Sequence, residues 1–350
     1  MTATTALPIA VLCGGVGAAR FLSGLVRVVD PARVTAIVNV GDDAVFHGLH
    51  VSPDLDTVLY TLAGMVDETT GWGVRADTSH VQEALARLGR DTWFRLGDAD
   101  LATHIHRTAL LREGLPLSGV TERLRRAFGI GATLLPATDD TQATMVRTDD
   151  GWLAFQDYFV RRGSRDVVRE VRFDSNTRPA PGMLAAGVRF DSDTHPPPGV
   201  LAAEVRFDSG ARPAPGVLVA IAEAEVVIVA PSNPIVSIGP VLAVEGVRTA
   251  LVATAATIVA VSPIVGGQAL KGPAAAMLAS LGHEVSAAGV AALYADFLDV
   301  LVIDEQDADL APRVTALGVR PVVAPTIMRD AAAKAALARA VLDAARAHGG

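Results

Sequence analysis

Apolar positions along the chain fall into two alternating patterns. Short uninterrupted runs stand at 7–13 ("LPIAVLC"), 34–40 ("VTAIVNV"), 224–230 ("AEVVIVA"), 256–262 ("ATIVAVS"), 298–304 ("LDVLVID") and 319–325 ("VRPVVAP"). Such runs predict strands buried on both faces, the signature of a parallel sheet covered by helices. Between them, apolar residues recur at three and four, which predicts helices at 18–29, 55–63, 79–88, 100–111 and 120–127. An alanine-rich tail ending in Gly-Gly predicts a closing helix. The segment "ATMVRTDDGWLAFQDYFV" alternates around residues 149–151 and predicts a hairpin. The expected fold is therefore α/β: a Rossmann-like, doubly wound, mostly parallel sheet, with an inserted helical subdomain at 72–135 and a small hairpin. The 350 residues read as one domain.

One stretch breaks the alternation. Residues 171–221 are a 17-residue phrase said three times, with ten of the 17 columns identical in all copies. Each copy holds a strand-like "VRF", a Pro-Gly turn and a few helix-prone residues. Near identity points to tandem duplication, so two copies are expected to be a tolerated surface insertion. Lengthening a flexible loop costs only about 0.6 kcal/mol per doubling.

Composition narrows the function. Half the residues are hydrophobic, and the formal net charge is −8. An acidic chain of this kind is not expected to bind nucleic acid or an anionic membrane. The single cysteine, Cys13, precludes an internal disulfide and a multi-cysteine metal site. The first residues carry no basic run of the signal-peptide kind, and a cytoplasmic location is expected. Two uncharged runs, 226–244 and 249–270, approach the length of a membrane span, but prolines and glycines interrupt both.

Candidate chemistry clusters at strand ends. "CGGVGAARFL" follows the first strand, with Gly14, Gly15, Gly17 and then Arg20. Glycines there let a phosphate approach the backbone, and the helix N-terminus offers unpaired N–H groups. The dinucleotide fingerprint is broken, because Arg20 stands where its last glycine would be, and no P-loop lysine follows. Asp42, Asp43, Asp54 and Asp56 lie within 15 residues, the first pair at the end of the second strand. Carboxylates at that place suit Mg²⁺, a hard ion that accompanies phosphates; alternatively, Asp54 or Asp56 caps the following helix. "GDADLATHIHRTALLR" is unusually polar for a core helix, with His104, Arg107 and Arg112; His104 and His106, two apart, do not share a face. Ser232, Asn233 and Ser237 follow another buried strand and suit either a phosphate, a base edge or simple turn chemistry.

The series "GGVGAARFLSGL", "VNVGDDAVFHGLHVSPDLDTVLYTLAG", "FRLGDADLATHIHRT", "LLPATDD", "PSNPIVSIGP" and "VSPIVGGQALKGPAAAML" resembles the 2-phospho-L-lactate transferase family, in order and over nearly the whole chain outside the repeat. The resemblance implies a Mg²⁺-dependent, homodimeric enzyme of coenzyme F-420 biosynthesis. Its donor would be a guanosine diphosphate ester of lactate or enolpyruvate, its acceptor the terminal ribityl hydroxyl of the deazaflavin Fo, and GMP would leave. The Ala- and Arg-rich composition leans toward the actinobacterial, phosphoenolpyruvate type. On this reading Asp42 and Asp43 hold the metal. Asp56 and Arg95 match positions that hold Fo, Asp56 orienting the hydroxyl or taking its proton. Gly14, Gly15 and Gly17 cradle the diphosphate with Arg20 beside them, and Ser232, Asn233 and Ser237 face the guanosine. Two rivals share parts of the pattern: a nucleotide-sugar-binding regulator with the same glycine turn, and an NAD(P) oxidoreductase. The family has one copy of the repeated phrase where this chain has three.

Overall fold

A computed structural model describes residues 8–176, 204–206 and 209–349. Its centre is a seven-stranded sheet in which every pairing is parallel. Strand β1 (Ile9–Cys13) pairs on one side with β2 (Val34–Val38), which pairs with β5 (Thr133–Pro136). On its other side come β10 (Val226–Val229), β11 (Thr257–Val261), β14 (Val300–Ile303) and β15 (Arg320–Val323), in that order. The strands are buried on both faces, as their continuous apolar runs predict. Ala10 and Leu12 join the core on one face, and Ile9, Val11 and Cys13 join the core on the other. The chain winds outward from β1 through β2 to β5 and only later returns to β10. The reversal leaves a crevice at the carboxyl ends of β1 and β10, where open α/β sheets take their ligands.

Helix α1 (Gly15–Leu25) leads from β1 back across the sheet. Its Ala18, Phe21, Leu22 and Leu25 are fully buried, and it packs on the closing helix Ala331–Gly349. Helix α2 (Pro53–Leu62) follows a two-stranded hairpin, β3 (Ala44–Phe46) and β4 (Leu49–Val51), that the sequence pattern did not announce. Residues 72–135 contain α3 (His80–Arg87), α4 (Asp98–Arg112) and α5 (Leu117–Ala127). No single helix among the described residues is long and apolar enough to cross a membrane; one bent pair, Pro234–Leu242 with Val247–Ala253, passes only together, across an 85° break.

The second sheet contains the expected hairpin, β6 (Thr141–Thr148) with β7 (Gly151–Ala154), turning at Asp149 and Asp150. Its other strands come from the repeat. The first copy supplies β8 (Glu170–Asn176), antiparallel to β6. The third supplies most of β9 (Glu204–Arg206), parallel to β8, with Val171 opposite Val205 and Arg172 opposite Arg206. These are identical residues at identical places in their copies. The third copy then provides α6 (Val217–Ala222), whose Val217 and Ile221 are fully buried. Ser175 donates a hydrogen bond to the carbonyl of Ser209, the same position two copies later. One complete unit is thus assembled from the strand of copy one and the turn and helix of copy three. The span 177–203, which includes the whole of copy two's turn, lies outside the described residues.

Candidate active site

A cavity of about 940 Å³ opens at the carboxyl ends of β1 and β10. Its floor is the glycine turn. Gly14 precedes α1 with extended backbone, and Gly15 has φ +70°, a left-handed conformation that favours glycine. A Cβ on Gly17 would lie 2.1 Å from the Pro231 carbonyl oxygen, so no side chain fits there. Ser232 donates its hydroxyl to the Gly14 carbonyl at 2.9 Å, and thereby ties the loop after β10 to the loop after β1. Asn233 turns its side-chain oxygen back to the backbone N–H groups of Ile235 and Val236. Ser237 is buried and lines the cavity, as does the half-buried Arg20 of α1.

One wall is acidic. Asp42 and Asp54 both line the cavity and are both buried. Neither Asp54 nor Asp56 caps α2, which starts after Ser52 without a side-chain cap. Instead Asp54 reaches over the glycine turn and accepts a 2.9 Å hydrogen bond from Asn39 Nδ2. Burial raises its carboxyl to about 6, with Asp43 pushing the same way and hydrogen bonds from Asn39 and the Gly15 backbone opposing. Burial likewise raises Asp42 well above the ordinary carboxylate range, reinforced by Asp54 and Asp43. Asp43 turns Oδ2 toward His50 Nε2 at 2.9 Å and the Ser52 hydroxyl at 2.7 Å. Asp42 Oδ1 and Asp43 Oδ1 are both buried and lack a hydrogen-bond partner. Orphaned carboxylate oxygens among mutually repelling acids are a donor set that suits a hard divalent cation. Asp42 lines the cavity itself, whereas Asp43 stands behind it, held by His50 and Ser52.

Another part of the lining is aromatic and also polar. Phe46 stacks on Phe94 with ring centroids 4.1 Å apart, and Trp93 meets both rings edge-on. Phe155 stacks on Phe159 at 5.4 Å. Trp93, Phe94, Phe155 and Phe159 line the cavity, and the exposed Arg95 stands among them. Beneath them Asp56 is clamped by Arg107, Nη1 to Oδ2 at 3.1 Å and Nη2 to Oδ1. Arg107 is 1% exposed, and burial works against its charge, but Asp56 outweighs it and the guanidinium's proton is held more tightly than usual. Arg107 Nη1 also lies 3.2 Å from His104 Nδ1, and His104 Nε2 lies 3.1 Å from Asp100 Oδ1. Tyr60 donates to Asp100 at 2.7 Å. Asp56, Asp100 and His104 each offer a ligand atom within 4.8 Å of the others, and the group could hold a metal ion.

Ten of the eleven site candidates from the sequence thus line one cavity, with Asp43 just behind it. Sequence reasoning missed Asn39, Asp54 as a cavity group, and the Asp100–His104–Arg107 face. The signal for the last was present: positions i, i+4 and i+7 share a helix face, whereas only the pair His104 and His106 was weighed. It also missed Lys271, which lines the cavity and donates to the Thr70 carbonyl at 3.1 Å across its mouth.

Residues 9–324 match the family described as 2-phospho-L-lactate transferase CofD. The chain is 40% identical over 334 residues to a 2-phospho-L-lactate transferase of Methanothermobacter thermautotrophicus, covering 95% of this chain and 97% of that one. It is 43% identical over 342 residues to a phosphoenolpyruvate transferase of Streptomyces avermitilis, again covering 95% and 97%. A solved structure of a UPF0052 family protein from Bacillus halodurans superposes with a TM-score of 0.60 at 15% identity, covering 97% of this chain and 99% of that one; this likeness concerns the fold alone.

Proposed function

Since the chain belongs to the 2-phospho-L-lactate transferase family, whose relatives are transferases of phosphate-bearing groups, we propose that it moves a phospho-three-carbon-acid group from a guanosine diphosphate ester to the ribityl hydroxyl of Fo, releasing GMP. The observation that carries this reading is the mixed lining of one cavity: a glycine-floored helix start, an acidic group, and an aromatic group with Asp56 and Arg95 share a space of about 940 Å³. That is the layout a transfer between a diphosphate ester and a planar ring system needs: two sites that share one phosphorus.

Phosphoryl transfer is governed by positioning and charge neutralisation more than by covalent help. The N–H groups at the start of α1 receive the diphosphate, and Arg20 lies beside them. Asp42 and Asp43, with their orphaned oxygens, would hold the Mg²⁺ ion, which supplies a counter-charge for the diphosphate and the departing GMP. Asp56 accepts a hydrogen bond from the attacking hydroxyl and directs its lone pair at the phosphorus. Arg95 meets the polar edge of the ring whose face rests on the aromatic wall. Ser237 and the Asn233 loop border the guanosine. Cys13 takes no part: burial raises its thiol far above the ordinary range and it faces the Ile37 carbonyl. The protein acts as a cytoplasmic homodimer, a state that light scattering of the purified chain measures.

Similar identity to relatives of both names leaves the donor to experiment. Purified protein, Mg²⁺ and Fo are incubated with either ester, and products are weighed by mass spectrometry. The expected outcome is GMP with a phosphoenolpyruvyl-Fo adduct, formed faster than the lactyl one. Absence of adduct from both donors overturns the proposal.

A further inference from the structure

The Asp56–Asp100–His104 group has the composition of a metal site, yet one of its members, Asp56, is already paired with a guanidinium. Arg107 reaches from α4 and sets one Nη on each oxygen of Asp56, the two-point geometry that a guanidinium makes with a carboxylate. Its Nη1 also faces His104 Nδ1. A guanidinium can only donate, so Nδ1 accepts and the proton of the neutral ring sits on Nε2, which lies 3.1 Å from Asp100 Oδ1 without a hydrogen bond to it. Neither imidazole nitrogen then has a lone pair free for a metal. Asp42 and Asp43 each keep one buried carboxylate oxygen without a partner, whereas both oxygens of Asp56 accept from Arg107. Two groups of acids border one cavity; one has its positive charge built in, and the other lacks it.

We propose that Arg107 is the positioning residue of the acceptor side: it fixes the Asp56 carboxylate in the cavity wall from behind, in the place a metal ion would otherwise take. The inference rests on the proposed function, in which Asp56 meets the attacking hydroxyl. Asp56, Asp100, His104 and Tyr60 line the cavity, whereas Arg107 lies behind them and is 1% exposed, so it acts through Asp56 and touches no substrate. Burial among Asp56, His104 and the His50 carbonyl gives its fork no alternative partner to swing to among the described residues. The same contacts join α4 to β4, because the His50 backbone N–H donates to the Thr108 hydroxyl oxygen at 2.8 Å. Both oxygens of Asp56 are thereby engaged by Arg107, while Asp56 itself lines the cavity.

Arg107→Lys keeps a positive charge but loses the fork; Arg107→Met loses both and strands Asp56. The doubly neutral Asp56→Asn/Arg107→Met variant contains no stranded charge and serves as the folded reference if Arg107→Met does not fold. Fo binding is read by deazaflavin fluorescence, donor-side binding with GDP as probe, and ion binding with Mn²⁺. The expected result is Fo affinity about tenfold weaker and kcat about a hundredfold lower in Arg107→Lys and in the double variant, with GDP and Mn²⁺ binding within twofold of the parent. If the parent transfers nothing to Fo, the proposed function fails. If the parent turns over and Arg107→Lys binds Fo as the parent does, only the positioning role fails; if the double variant does so, the Asp56 assignment beneath it fails as well. Equal losses of Fo, GDP and Mn²⁺ binding in Arg107→Lys would make Arg107 a general structural prop and also overturn the inference.

Discussion

At the cavity, Arg107 serves Asp56, Asn39 serves Asp54, and His50 and Ser52 serve Asp43; in the repeat, by contrast, strands of identical sequence lie side by side, one against β6 and the other beyond it. The letters Val-Arg-Phe-Asp-Ser occur three times. In copy one they pair antiparallel with β6, and in copy three Val205 and Arg206 lie one strand further out. Local sequence therefore cannot decide which copy is β8. At the cavity, each partner is a different residue type specified by its chemistry, whether 7 residues away, as His50 is from Asp43, or 51, as Arg107 is from Asp56. The cavity draws its order from uniqueness, and the repeat draws its tolerance from redundancy. Four experiments press on that contrast.

The largest effect is expected at the acidic wall. Asp42→Asn should lower turnover by about a hundredfold to a thousandfold, measured as adduct formed per minute, while the melting temperature stays level or rises. It should not fall, because the mutation removes one of several buried charges that repel each other. A joint loss of activity and stability would make Asp42 a structural residue.

Redundancy is tested next. Joining Ser175 to Gly210 removes residues 176–209, two repeat lengths, across a pair already in contact. In that shortened chain Phe173→Ala should cost about 3–5 kcal/mol, the price of emptying a buried aromatic site. In the full chain the same change should cost about 1 kcal/mol, because the third copy can slide into the β8 place with Phe207 where Phe173 was, at a small loop-closure cost. Urea melts of the four proteins measure it; equal costs in both backgrounds would show that the copies do not exchange.

A pH effect follows from Asp54. Its carboxyl is raised from 3.8 to about 6 in the fold. Below 3.8 it is protonated folded and unfolded alike. As pH climbs toward 6 the unfolded chain loses its proton first, so metal-free protein should lose stability on the order of 3 kcal/mol across that window and then level off. Thermal melts in EDTA should show the decline, and Asp54→Asn should flatten it. A stability that climbs through the same window would place the carboxylate in a favourable pairing instead. The smallest effect belongs to the 176–209 deletion alone: turnover within twofold, and stability within about 1 kcal/mol. Lost activity would give the extra copies a role.

The sheet was legible in the sequence because strands buried on both faces show as unbroken apolar runs; β1, β2, β10, β11, β14 and β15 all stand where such runs predict them. The β3–β4 hairpin was not, since strands of three residues carry little pattern and the turn depends on His47 at φ +52° beside Gly48. Glycines, acids and serines at strand ends located the cavity, because the chain reversal that makes the crevice also gathers those ends. The pairing of acids with their partners was hidden, because it depends on how α2 and α4 meet in space. The composite repeat was equally out of reach: identical copies hold no information about which half of which copy folds where.

The close approach of Gly17 to Pro231, with the Ser232 latch one residue on, welds the two halves of the central sheet together where the chain reverses. A hinge cannot run through that seam. Traffic in and out of the chamber must instead use its rim, where Lys271 spans to the Thr70 carbonyl by one hydrogen bond.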